Sequence, residues 1–297
     1  MTTTTARPET GLPPLREPGA AGGLVEVFRR GYLLKLLVRK ELRMRYQGSI
    51  VGLGWSYVQP LVYFLMYYWV IGLIESGRTP GRSMLIFCGL IMVQFGTQSL
   101  TQGARSVVKN KSLVRKINLP REMFPVSTVA VSVYHMLPMY AILFVGALIS
   151  GWHPDPPAVL AIFLSFVLVV VWGLGIAMVM SAINVFFRDA ENVAGTVNIA
   201  LRWLVPMIYP FGLIMKHAHT HPILYQIYAA NPLTSCVLLV DRAFWITTNA
   251  HPVALAHKNL PPHLFERSFI LLGVGLLFLW VAQVIFRHLA GRFAEMV

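Results

Sequence analysis

AVLAIFLSFVLVVVWGLGIAMVMSAINVFF, residues 158–187, runs for 30 residues without a charged side chain. Exposed to water, such a surface would be unfavourable along its whole length, whereas about 20 apolar residues of helix match a bilayer core roughly 30 Å thick. The stretch reads as a membrane-spanning helix, long enough to tilt or to extend past the membrane. Five more stretches pass the same test: Ile50 to Ile74, Ser83 to Gln102, Pro125 to Ile149, Gly195 to Met215 and Phe269 to Phe286. Six spans in a chain of 297 residues, 56% hydrophobic and 12% charged, predict an all-α polytopic membrane protein.

A formal charge of +13 would point to nucleic acid in a soluble protein. Here the charges sort by side. With the N-terminus in the cytoplasm, 18 of the 25 Lys and Arg residues fall on the cytoplasmic side, 6 on the other, and Arg202 lies inside span five. The positive-inside rule thus accounts for the basicity, with both ends cytoplasmic and no nucleic acid involved. Residues 1–23, with their Thr run and Gly and Pro clusters, read as a disordered tail. In residues 24–49, Leu24, Val27, Phe28, Tyr32, Leu34, Val38, Leu42 and Tyr46 fall on one side at helical spacing, which predicts an amphipathic interface helix, divided at Gly31. A basic segment held by anionic lipid is the competing reading. Residues 50–297 then form the transmembrane domain.

Between spans two and three, Val108, Lys109, Asn110, Lys111, Leu113, Val114, Arg115, Lys116 and Ile117 interleave basic and apolar side chains. A loop that only sets topology needs the charges alone. The apolar residues predict a short helix that docks on another surface, stopped at Pro120. Before span six, residues 221–245 are apolar, too short for two crossings, and broken at Asn231-Pro232. They predict two short re-entrant helices whose ends need shelter from protein or a wet cavity. A flat pair on the membrane surface competes with that reading.

No Gly-Lys pair exists in the chain, so it has no phosphate loop and cannot hold ATP in that way. None of its 12 acidic residues falls in the middle of a span, where an ion-coupled carrier would place a titratable carboxylate. Neither H-E-x-x-H nor G-x-S-x-G occurs, which disfavours a membrane hydrolase. The alternating His217, His219 and His221 read as solvent-facing, and Cys88 and Cys236 have no paired spacing, so no metal or cofactor is expected here. Trp55, Trp69, Trp152 and Trp245 fall near predicted interfaces.

What remains is polar patterning on two spans. Gly52, Ser56, Gln59, Tyr63 and Tyr67 share a sector of span one, and Glu191, Gly195, Asn198, Arg202, Tyr209 and Gly212 share a side of span five, distorted by Pro206 and Pro210. An arginine at mid-helix costs at least ~2.5 kcal/mol against lipid, so Arg202 must face protein or water. Ser56, Gln59, Tyr63, Tyr67, Asn198, Arg202 and Tyr209 are the candidates for a transport path. Helix packing through small and polar residues is the alternative, above all for the glycines and Ser56.

Gly54-Trp55-Ser56 with Gln59-Pro60, the stretch NKSLVRKINLPREMFP at 110–125, Phe187-Arg188-Asp189, Pro206 with Tyr209-Pro210, and Asn231-Pro232-Leu233 follow one another in a familiar order. In that order and spacing the chain resembles the membrane subunits of type-2 ABC exporters for polysaccharides, the group of the Wzm O-antigen permease and the teichoic-acid and capsule exporters. The likeness covers nearly everything after the tail, and is strongest to permeases for the lipid-linked galactan of mycobacterial-type cell walls. It implies a homodimer of six-span subunits on two copies of a cytoplasmic ATPase that binds ATP and Mg2+. It implies also that 110–125 belongs to the coupling segment, and that the substrate is a long glycan on a polyprenyl diphosphate. An ABC permease for a drug or ordinary lipid is the nearest alternative. A lipid-phosphate glycosyltransferase is a further one, and would need Asp189 and Glu191 to hold metal.

Overall fold

The computed structural model describes residues 23–49, 51–75, 81–116, 119–218 and 220–296, and every regular element among them is helical. The tail before residue 23, Ile50, Ile117, His219 and the side chain of Tyr67 lie outside the described residues. The chain begins with α1 (Gly23–Arg29), α2 (Gly31–Tyr46), α3 (Trp55–Glu75), α4 (Arg82–Lys109) and α5 (Lys111–Lys116). It continues with α6 (Met123–Ile149), α7 (Pro156–Phe186), α8 (Ala190–Leu204) and α9 (Gly212–Met215). Then come α10 (Pro222–Ala229), α11 (Pro232–Val240) with a π-helical turn at Asp241–Trp245, α12 (Pro252–Asn259), α13 (Leu264–Ala290) and α14 (Phe293–Met296).

Helix α4 is the axis, touching α3, α6, α7, α8 and α11. Of its apolar window 78% is buried, against 17% for α13, whose remaining surface is left for lipid. Lipid tails are as apolar as Leu and give helices no hydrophobic push together, so close approach depends on small residues. Gly103 of α4 provides it: a Cβ there would come within 2.6 Å of the Ala177 Cα on α7. Gly89 does the same against the backbone of Met207, where a Cβ would lie 2.6 Å from Cα.

Helix ends follow local chemistry. Asp155 caps α7, its side chain accepting from the Ala158 N–H at 2.9 Å with Pro156 and Pro157 in the first turn. Burial alone would raise the Asp155 carboxyl, but the Arg242 guanidinium at 2.5 Å outweighs that and holds it below the usual carboxylate range. Asn231 caps α11 the same way, accepting from Leu233 N–H at 3.0 Å, and α10 and the α11 pair meet there at 73°. The chain breaks at Asn231-Pro232 as the sequence predicts, with a bend that suits a broken span or a re-entrant pair.

Among the described residues four helices, α4, α6, α7 and α13, have the length and composition of a span, and the bent pair makes a fifth if counted as one. Helix α3, with 21 residues, is long enough at about 1.5 Å per residue to match a bilayer core. Span five departs from expectation. Instead of one helix over 195–215, α8 has 15 residues, residues 205–211 are irregular, and α9 is one turn. Pro206 clashes with a helical residue before it and drives Val205 to φ −120, ψ 140, and Pro210 interrupts the chain again.

The N-terminal unit is also corrected in detail. It does divide before Gly31, at Arg30 with φ −96, ψ 38, but its buried face is Val27, Leu37 and Glu41, while Phe28 and Tyr32 are exposed. The reason is that α2 lies along α6 as part of the protein and so follows α6's contour. Trp245, expected at an interface, is 1% exposed in the π-helical turn, whereas Trp55 and Trp69 are exposed.

Candidate functional site

At the end of α4 the chain turns sharply into α5, and the turn is tied to α2. Asn110 donates through Nδ2 to Glu41 Oε1 at 3.1 Å and to Ser106 O at 2.9 Å. Its Oδ1 accepts from Lys40 Nζ at 2.7 Å, and Lys109 Nζ reaches Glu41 Oε2 at 2.7 Å. Glu41 is buried and Lys109 half in solvent, so the pair loses little desolvation energy on one side and keeps a strong charge-assisted bond on the other. These four side chains lock α2 to the beginning of the coupling segment.

The apolar residues of that segment do not all point where an external dock would need them. Val114 is buried in the protein's own core, and Leu113 and Val108 pack against it half-buried. Lys111, Arg115 and Lys116 are exposed, so the free face of α5 is cationic. A six-residue helix cannot bury an apolar stripe on two sides, and the core and α14 claim the one it has. Beneath it Arg121 and Glu122 are buried, both Glu122 oxygens lacking a hydrogen-bond partner among the described residues. Burial raises the Glu122 carboxyl, with the Arg287 and Arg121 charges pulling it back.

The candidates for the path divide into three groups. Arg202 of α8 stands over the Tyr63 ring of α3, 5.4 Å from its centroid, a cation–π contact within one subunit. Gln59 is exposed one turn away and within 3.5 Å of the Tyr63 hydroxyl, and Asn198 keeps a buried Oδ1 without a partner among the described residues. Ser56 lies towards α6, its Oγ 2.9 Å from His135 Nδ1 and bonded to the Tyr46 hydroxyl. Tyr209 is off the stripe altogether: beyond the break, its hydroxyl donates to Trp203 O at 2.9 Å and meets the Tyr228 hydroxyl at 2.8 Å, pinning the irregular segment to α10. Glu191 pairs with Arg105 across α8 and α4, while Arg188 and Asp189 are exposed.

A polar seam between α4 and α6 escaped the sequence reading. A cavity of about 190 Å3 is lined by Arg45, Tyr46, Trp55, Ser56, Gln59, Gln94, Gln98 and His135. Beside it, sharing Arg45, a second of about 240 Å3 is lined by Glu41, Gln102, Lys109, Thr128 and Ser132. The signal was present in the four-residue spacing of Gln94, Gln98 and Gln102, and in Thr128, Ser132 and His135. Asp241 was missed as well; it is 2% exposed in the π-helical turn. An apolar cavity of about 170 Å3 lies between α4, α7, α8 and α11, with Trp172, Leu201 and Leu233 in its wall.

A family model described as ABC-2 type transporter matches residues 32–244, from α2 to the π-helical turn. The chain is 27% identical over 273 residues to a Klebsiella pneumoniae protein named O-antigen export system permease protein RfbA, covering 91% of this chain and 98% of that one. A protein of the same name from Myxococcus xanthus is 25% identical over 277 residues, 92% of this chain and 98% of the relative.

Proposed function

Because this chain belongs to the ABC-2 type transporter family and carries helices long and apolar enough to cross a membrane, we propose that it exports a lipid-linked polysaccharide. The glycan, of galactan or O-antigen type, rides on a polyprenyl diphosphate and crosses from the cytoplasmic to the outer side of the inner membrane. The observation that carries this reading is the likeness to O-antigen export permeases over 91% of the chain, which takes in the interface helices, the coupling corner and the re-entrant pair together.

Two copies of the chain form the permease, with their basic ends in the cytoplasm. A separate ATPase dimer binds ATP and Mg2+ and docks on the cationic face of α5. Movement there is passed to α2 through the Glu41, Lys109 and Asn110 lock, and to α4, the axis of the fold. Polar groups on α3, α4 and α8 supply partners for hydroxyls that have left water, which without them would cost several kcal/mol each. The apolar cavity beside Trp172 favours a second reading, export of an ordinary lipid.

Depleting the chain in its host decides between them. Lipid-linked glycan should accumulate where a glycosidase added outside spheroplasts cannot cut it. Undiminished cleavage of that glycan, with a different lipid retained inside, would replace the first reading by the second.

A further inference from the structure

The 190 Å3 cavity at the junction of α2, α3, α4 and α6 is lined unlike the rest of the membrane interior. Three carboxamides, Gln59, Gln94 and Gln98, meet the imidazole of His135, the indole of Trp55 and the guanidinium of Arg45. Carboxamides and imidazole both donate and accept, as sugar hydroxyls do, the Arg45 guanidinium adds donors alone, and the lining has no carboxylate for a cation. The Oε1 of Gln98 is buried in the cavity wall and has no partner among the described residues. Trp55, 52% exposed, adds a flat apolar face. The volume falls below the ~300–1,000 Å3 of pockets for drug-sized ligands and has room for one pyranose ring.

We propose that this cavity binds one neutral glycosyl residue of the membrane-anchored substrate, its hydroxyls on Gln94, Gln98 and His135 and its C–H face on Trp55. The inference rests on the polysaccharide-export reading and adds to it a site that joins the α3–α8 stripe at Gln59. His135 is held in place by Ser56, which shares the lining and whose Oγ lies 2.9 Å from Nδ1, so the imidazole is oriented before the sugar arrives.

The test uses the complete permease–ATPase complex in lipid nanodiscs, with Gln98→Cys and, separately, Gln94→Cys. Both native cysteines are buried, so background labelling by a small water-soluble thiol reagent is low. A farnesyl-diphosphate-linked disaccharide should slow labelling at both positions by about tenfold, and farnesyl diphosphate without sugar should not. The free disaccharide at equal concentration, lacking the anchor, should not either. Equal protection by the sugar-free lipid would overturn the sugar assignment, and equal protection by the free disaccharide would overturn the assignment to membrane-anchored substrate. Cysteines that never label, or that label unprotected in a complex whose ATP turnover the glycolipid still stimulates, would sink the cavity and leave export standing. Absence of both protection and stimulation would bring down the export reading, and this inference with it. Independently of any cysteine, Gln94→Leu should raise the half-saturating concentration of the sugar-bearing lipid about tenfold, and an unchanged value would count against the site.

Discussion

Two buried carboxylates at the basic end behave oppositely, and each gives a prediction. Glu41 has its charge answered by Lys109 and its second oxygen by Asn110, so removing it leaves donors without acceptors. Glu41→Ala should lower thermal stability by about 1–3 kcal/mol and weaken the response of ATP turnover to substrate. The reversed pair Glu41→Lys with Lys109→Glu should recover part of both, and full stability in Glu41→Ala would show the lock to be idle. Glu122 instead carries a carboxyl raised by burial, and its folded form holds the proton more tightly than the unfolded chain does. Its contribution is therefore complete below the ordinary Glu value and falls away as pH rises towards the raised folded value. Relative to the parent, Glu122→Gln should gain melting temperature as pH rises above the ordinary Glu range. A difference that shrinks over that rise contradicts the assignment.

At the scale of elements, α5 has its apolar side turned inward and its charges outward. Docking of the ATPase should then depend on Lys111, Arg115 and Lys116 and be sensitive to salt. Changing all three to Glu should abolish copurification with the ATPase while the permease remains folded in the membrane. Val114→Asp should do the reverse and lose the folded permease, because it places a charge where Val114 is 7% exposed. A stable Val114→Asp protein that merely loses the ATPase would restore an apolar docking face. Helices α3 and α8 meet through Tyr63 and Arg202, so Arg202 has its partner inside one subunit, as its cost in lipid requires. The opposite side of α3, with Leu61 and Leu65, is exposed. Cysteine at 59 should therefore react with a water-soluble thiol reagent, and cysteines at 61 and 65 only with a lipid-soluble one. Equal reaction at all three with the water-soluble reagent would mean that α3 is turned the other way.

For the whole molecule, the proposed assembly of two permeases and two ATPases should appear in native mass spectrometry as a 2:2 complex, and a 1:2 complex would exclude the homodimer. Much of the architecture was legible in order of residues alone. Apolar run length set the spans at α4, α6, α7 and α13, because the bilayer imposes one length on every crossing helix. Asn231-Pro232 and Gly31 marked real breaks, because cap and backbone preferences are local. Pro206 and Pro210 were seen too, but the pattern reads them as distorting one helix, whereas the chain leaves the helix at Val205 and its irregular segment packs with Met207 against Gly89 of α4. The direction of side chains was the least legible part. The interleaved pattern places Val114 with an outward docking face, yet the core draws it inward. The paired polar rows on α4 and α6 were likewise visible as spacing and silent as a site, since the cavity exists only where α2, α3, α4 and α6 fail to close on one another. Sequence thus determined membrane residence, helix lengths and breaks, which follow from local chemistry and the solvent. Tertiary structure decided which faces meet, since that is set by contacts between residues as far apart as Glu41 and Lys109, a separation no helical period can span.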